Sequence, residues 1–167
     1  MTSSKIIGID PGTIVTGYAI IDNEGARPRI VDFGCIRPPQ QDLLSERYLI
    51  LFTSLCHLLK LHTPTQMAIE TPFINKNPQS ALKLGGALSC AILAAKSSLS
   101  IPVFGYAPRE VKQGITGRGD ATKEDVQTFL RHFFCLQKTE IRMDATDALA
   151  IALYHELRGP LLKRKEL

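Results

Sequence analysis

The apolar positions of this chain change period along its length, and each change marks an element. Lys5 to Ile9 and Val15 to Ile21 are apolar runs with many β-branched residues, separated by Pro11-Gly12-Thr13. They predict two strands joined by a turn. "RIVDFGCIR" (29–37) predicts a third strand after the turn "DNEGARP". From Asp42 to His62 the apolar residues recur at helical spacing, and Pro64 closes that helix. "QMAIE" (66–70) predicts a short strand, Gln79 to Ser98 a long helix, and "IPVFGY" (101–106) a fifth strand. "PREVKQGITG", "ATKEDVQTFLRHFF" and "DATDALAIALYHEL" predict three helices, the first with proline at its start. The order β-β-β-α-β-α-β-α-α-α implies an α/β fold, a mixed five-stranded sheet flanked by helices.

Length and composition narrow the class without naming a chemistry. With 167 residues, 44% hydrophobic and 22% charged, the chain suits one globular domain over 1–158 and a flexible basic tail over 159–167. No uninterrupted apolar run suggests a membrane span, and "MTSSKIIGID" lacks the layout of a signal peptide, so the expected location is cytoplasmic. The four cysteines form no C-x-x-C pair, which disfavours structural zinc, and each reads as a small buried hydrophobe. A net charge of +4 suits a nucleic-acid partner but does not require one.

The chemistry lies in four acids. Asp10 ends the first, central strand and Glu70 ends the fourth, and ligands in such folds gather at the carboxyl ends of strands. Asp144 and Asp147, in "RMDATDALAIAL", are spaced i, i+3 on one helix face. Each also has a plain structural role: Asp10 as a turn initiator, Asp144 as an N-cap, Asp147 as a first-turn acid and Glu70 as a solvated strand end. If the last helix crosses the sheet, the four make one cluster whose mutual repulsion a divalent cation relieves. Oxygen-only ligation selects Mg²⁺ or Mn²⁺, and two such ions roughly 3.5–4 Å apart suit phosphodiester hydrolysis.

"GIDPGT..TGYA", "AIETPF", "NPQSALKLG" and "DATDALAIA" together resemble the motifs of the RuvC family of bacterial Holliday junction resolvases, over roughly residues 5 to 157. The resemblance implies a ribonuclease H-like fold and a homodimer that cuts four-way DNA junctions symmetrically with Mg²⁺. It carries the catalytic and metal-binding roles onto Asp10, Glu70, Asp144 and Asp147. It also implies work beside a RuvA–RuvB branch-migration complex. Thr146 departs from the family pattern, where a small apolar residue is commoner, and is expected to face away from the metals. Pro11-Gly12 is expected to let a substrate phosphate approach the backbone.

"TPFINKNP" follows Glu70 directly, and an exposed Phe73 there would stack on an unpaired base, the role its position has in the family. A hydrophobic plug under the loop is the alternative for Phe73. Lys76 and Asn77 suit phosphate and base-edge contacts. Arg109, Lys112, Arg118 and Lys123 punctuate a glycine-bearing polar segment, and the resemblance favours Lys112 and Lys123 as DNA contacts, with Arg118 beside them. His155 stands ~16 Å along the helix from Asp144, too far to ligate a shared metal, and His57, His62 and His132 read as helix-surface residues. The long helix 79–98 is the expected dimer contact, with Ala87 an outward small residue and Gly85-Gly86 a place for another backbone to approach.

Rival readings come from other classes. An actin- or sugar-kinase-like ATP-binding protein shares a "GIDPGT..TG" loop but needs about twice this length. Another ribonuclease H-like nuclease, such as an RNA-processing enzyme, would share the acids without the "TPFINKNPQSALKLG" block. A catalytically silent junction-binding module would not need all four acids.

Overall fold

The computed structural model describes residues 4–25, 27–71, 78–136, 143–158 and 166–167, with Met143 and Asp144 described by their backbone. Five strands, β1 (Lys5–Asp10), β2 (Thr16–Asp22), β3 (Arg29–Ile36), β4 (Gln66–Glu70) and β5 (Val103–Tyr106), form one mixed sheet in the order β3-β2-β1-β4-β5. The β1–β2 and β2–β3 pairs are antiparallel, and the β1–β4 and β4–β5 pairs are parallel. β1 is therefore the central strand. Five helices complete the fold: α1 (Leu44–His62), α2 (Pro78–Leu99), α3 (Pro108–Thr116), α4 (Lys123–Phe134) and α5 (Met143–Arg158).

The pleat sorts the core into two layers. Ile7 and Ile9 of β1, with Met67 and Ile69 of β4, pack against Leu51, Leu55 and Leu59 of α1 and the alanines of α2. Their neighbours Ile6 and Ala68 face the other way, against Ala148, Leu149 and Ala152 of α5. This strict alternation is the side-chain period of a strand buried on both faces. Gly8 lies on the α5 face, where an added Cβ would stand 2.2 Å from the Ala148 carbonyl oxygen and 2.8 Å from the Ala152 Cβ. The missing side chain lets α5 rest directly on the central strand.

Local chemistry sets the element ends. Thr122 and Asp125 form a reciprocal capping box at the start of α4, at 3.1 and 2.9 Å, which makes Lys123 the first residue of that helix. Thr16 cinches the β1–β2 turn, its Oγ1 donating to the Gly12 carbonyl at 2.7 Å and accepting from the Gly12 amide at 3.1 Å. A Cβ on Gly12 would meet the Val15 carbonyl oxygen at 2.2 Å, so the turn's own backbone crowds that glycine.

Several expectations change here. Ala87 is 2% exposed and packs inward with Ala91, Ala94 and Ala95, so it is not an outward residue. The neighbour that Gly86 admits is the Tyr48 ring of α1, whose hydroxyl donates to the Lys83 carbonyl at 2.9 Å, while Gly85 faces open space. α2 is long and apolar enough to cross a membrane by length and composition alone, yet its alanine face packs on the protein core. His62 is not merely a surface residue: its Nε2 lies 3.0 Å from Asp32 Oδ2, tying α1 to β3. His57 and His132 are exposed, as expected. At the C-terminus, Glu166 bridges Phe104 and the Leu167 amide donates to the Val103 carbonyl at 2.9 Å, so these two residues line the free edge of β5.

Candidate active site

Asp10 and Glu70 become neighbours through register. β1 and β4 run parallel with Ile9 opposite Ile69, so the next residues, Asp10 and Glu70, end their strands side by side. Because Ile9 and Ile69 belong to the α1–α2 layer, the pleat turns both acids toward α5. α5 approaches that face closely at Gly8 and places Asp147 in its second turn, over the strand ends. Thr146 beside it is 4% exposed and lines a small pocket with Lys123, Gln127 and Asp147.

The electrostatics follow from this juxtaposition. Burial, and then the Asp147 charge, push the Asp10 carboxyl up to about 6, with Lys123 opposing. Burial, then Asp10 and Asp147, push Glu70 up to about 7, with Lys123 and Lys112 opposing. Desolvation is the larger cause in both, since strand ends beneath a helix offer a carboxylate little water. Lys123 donates from Nζ to Asp147 Oδ2 at 2.8 Å, and that bond is the first reason its own ammonium is held above the usual lysine value.

Three of the four predicted acids, Asp10, Glu70 and Asp147, thus feel one another directly. The side chain of Asp144 lies outside the described residues, and its backbone is the second residue of α5, three before Asp147. Among the described residues no three acidic, imidazole or thiol groups already stand at coordination distance of one point. The donor set nevertheless fits a hard divalent cation: it is all oxygen, desolvated and short of positive charge.

The basic residues divide. Lys123 and Lys112 both act on the acids, Lys123 as the nearer partner of the cluster. Arg118 is exposed on the α3–α4 connection, 3.4 Å from Asp120. Phe73, Lys76 and Asn77 lie outside the described residues. His155 is fully buried away from the acids, donating from Nε2 to Gln66 Oε1 at 2.7 Å and accepting the Tyr106 hydroxyl at Nδ1 at 2.6 Å, which is a structural role. Sequence reasoning missed two features, Gly8 and the Lys123–Asp147 pair. The first had a signal, a glycine inside a β-branched strand, which often marks close backbone approach.

The comparisons with known proteins agree with this geometry. The family model of crossover junction endodeoxyribonuclease RuvC matches residues 6–155. The RuvC of Protochlamydia amoebophila is 41% identical over 161 residues, covering 96% of this chain and 95% of the relative. That of Legionella pneumophila is 41% identical over 159 residues, covering 95% and 90%. The solved structure of Thermus thermophilus RuvC in complex with Holliday junction substrate superposes with a TM-score of 0.90 at 30% identity, covering 98% of this chain and 99% of that one. The Fowlpox virus resolvase, 14% identical with a TM-score of 0.57, shares the fold. A ribonuclease H-like sheet with acids meeting at its central strand ends, matched along nearly its whole length by these relatives, makes this chain a member of the RuvC family of crossover junction endodeoxyribonucleases.

Proposed function

We propose that this chain resolves four-way DNA junctions by paired Mg²⁺-dependent nicks, with Asp10, Glu70, Asp144 and Asp147 holding two ions. The observation that carries the reading is the register-enforced adjacency of Asp10 and Glu70 beneath Asp147, with both strand-end carboxyls raised by burial and by one another. Two bound divalent ions would activate the attacking water and stabilise the leaving oxygen. The protein supplies the rest. The strand ends hold Asp10 and Glu70 rigidly, α5 brings Asp147 over them, and Lys112 and Lys123 add positive charge where a phosphate would arrive. Phe73, Lys76, Asn77 and Arg118 extend this toward the junction, Phe73 by stacking on an unpaired base.

Cutting opposite strands requires two sites, and we assign the dimer contact to the outer face of α2. Leu82 and Leu93, three helical turns apart on the side opposite the buried alanines, are 79% and 60% exposed. Leu82 also lines an open groove with Tyr48, Pro78, Ala81, Gly85 and Leu88. Large exposed leucines in a row on a helix that also packs a core mark a surface awaiting a partner. A second copy supplies it under two-fold symmetry, and a RuvA–RuvB complex is the partner the family implies for the loaded junction.

The test is a cleavage assay on a four-way junction, a linear duplex and an RNA–DNA hybrid, each with and without Mg²⁺. Paired nicks confined to the junction and dependent on the cation are expected. Equal cutting of the hybrid would favour an RNA-processing nuclease instead.

A further inference from the structure

Lys123 occupies an unusual position for a DNA-contacting lysine. Its ammonium is bonded to Asp147 at 2.8 Å, and its charge is felt by Asp10 and Glu70 as well, whereas Lys112 acts on Glu70. Its backbone is the first residue of α4, fixed by the Thr122–Asp125 capping box, while its side chain is 65% exposed against 25% for Asp147. The root is therefore fixed by the cap, while most of the side chain stands in solvent. The pair also spans two helices, Lys123 at the start of α4 and Asp147 in the second turn of α5.

A carboxylate held by an ammonium is a poorer ligand for a divalent ion, because the two cations repel at short range. We infer that Lys123 is a displaceable counter-cation, which neutralises the acid cluster through Asp147 until a divalent ion takes that carboxylate and frees the ammonium for a DNA phosphate. This rests on the metal reading above and deepens it. Lysine suits the task as a compact point charge on a flexible stem that can exchange one oxygen anion for another. The handover links the two ligands reciprocally. Metal loading releases Lys123 to the phosphate, and a phosphate that draws Lys123 away leaves Asp147 open to the metal. The same side chain would then keep the cluster balanced when no metal is bound and couple loading to substrate.

Mn²⁺ titrated into the DNA-free protein, followed by the loss of free-ion electron paramagnetic resonance signal, reads the exchange directly. Lys123→Gln should bind Mn²⁺ about two- to fivefold more tightly than wild type, the range an ion pair of this exposure supports, and Lys123→Arg should stay near wild type. On a junction with uncleavable linkages, the gain in DNA affinity on adding Mn²⁺ should be smaller in Lys123→Gln by a similar factor. Equal or weaker Mn²⁺ binding by Lys123→Gln, or an unchanged metal-dependent gain in junction affinity, would overturn the handover while leaving the metal site in place. Absence of Mn²⁺ binding by wild type would overturn the metal site itself and the handover with it.

Discussion

Gly8 on β1 and Ala148 on α5 are in direct backbone contact: a methyl group built on Gly8 would lie 2.2 Å from the Ala148 carbonyl oxygen. That contact sets the height of α5 above the central strand, and so the distance of Asp147 from Asp10. Backbone cannot yield as a flexible side chain would. Gly8→Ala should therefore destabilise the fold by about 1–3 kcal/mol, the usual range for overpacking, and lower cleavage more than junction binding. Chemical denaturation beside a cleavage assay checks both, and an unaltered midpoint would show that α5 shifts freely.

On the reading proposed above, the four acids position metal ions and leave the grip on DNA to other residues. Asp10→Asn, Glu70→Gln, Asp144→Asn and Asp147→Asn should each abolish cutting while junction binding persists. Two variants retaining near-wild-type cation-dependent cleavage would refute the assignment.

The raised carboxyls also set a pH dependence. Asp10 moves from 3.8 to about 6 and Glu70 from 4.5 to about 7, so between those limits the folded metal-free protein holds more protons than the unfolded chain. The associated stability is fully present below the unfolded values and is lost as pH rises through about 6 and about 7. The loss should be on the order of 3 kcal/mol for each group taken alone. Thermal melting at stepped pH should show it, with a flatter profile for Asp10→Asn and Glu70→Gln. Adding Mg²⁺ should reverse the trend, because the ion binds the deprotonated acids.

Phe73 is testable by substitution. Stacking on a junction base predicts that Phe73→Ala loses about 1–3 kcal/mol of that contact while Phe73→Trp largely keeps it. Melting temperature should barely move, whereas a large fall would assign the ring to the core.

The α2 surface makes a prediction about assembly. Leu82 is 79% exposed, so Leu82→Glu should leave the fold intact and shift the protein toward monomers in sedimentation. Such monomers should nick junctions without pairing the cuts. Ala87→Arg, at a position 2% exposed, should instead unfold the chain.

The order and type of all ten elements were legible in the amino-acid sequence, because hydrophobic period and turn residues act within a few positions of one another. Asp10 and Glu70 at strand ends, and Asp147 one turn into the last helix, were legible for the same reason. Their meeting was not. It depends on Ile9 pairing with Ile69 and on Gly8 admitting α5, relations between segments some sixty and a hundred and forty residues apart. The inward face of α2 was undecidable from a helix apolar nearly all round, and only packing against α1 turned Ala87 in and Leu82 out. The Lys123–Asp147 pair likewise needs two helix starts brought together. Local pattern encodes which surfaces must be buried, while long-range contact decides which charged groups meet.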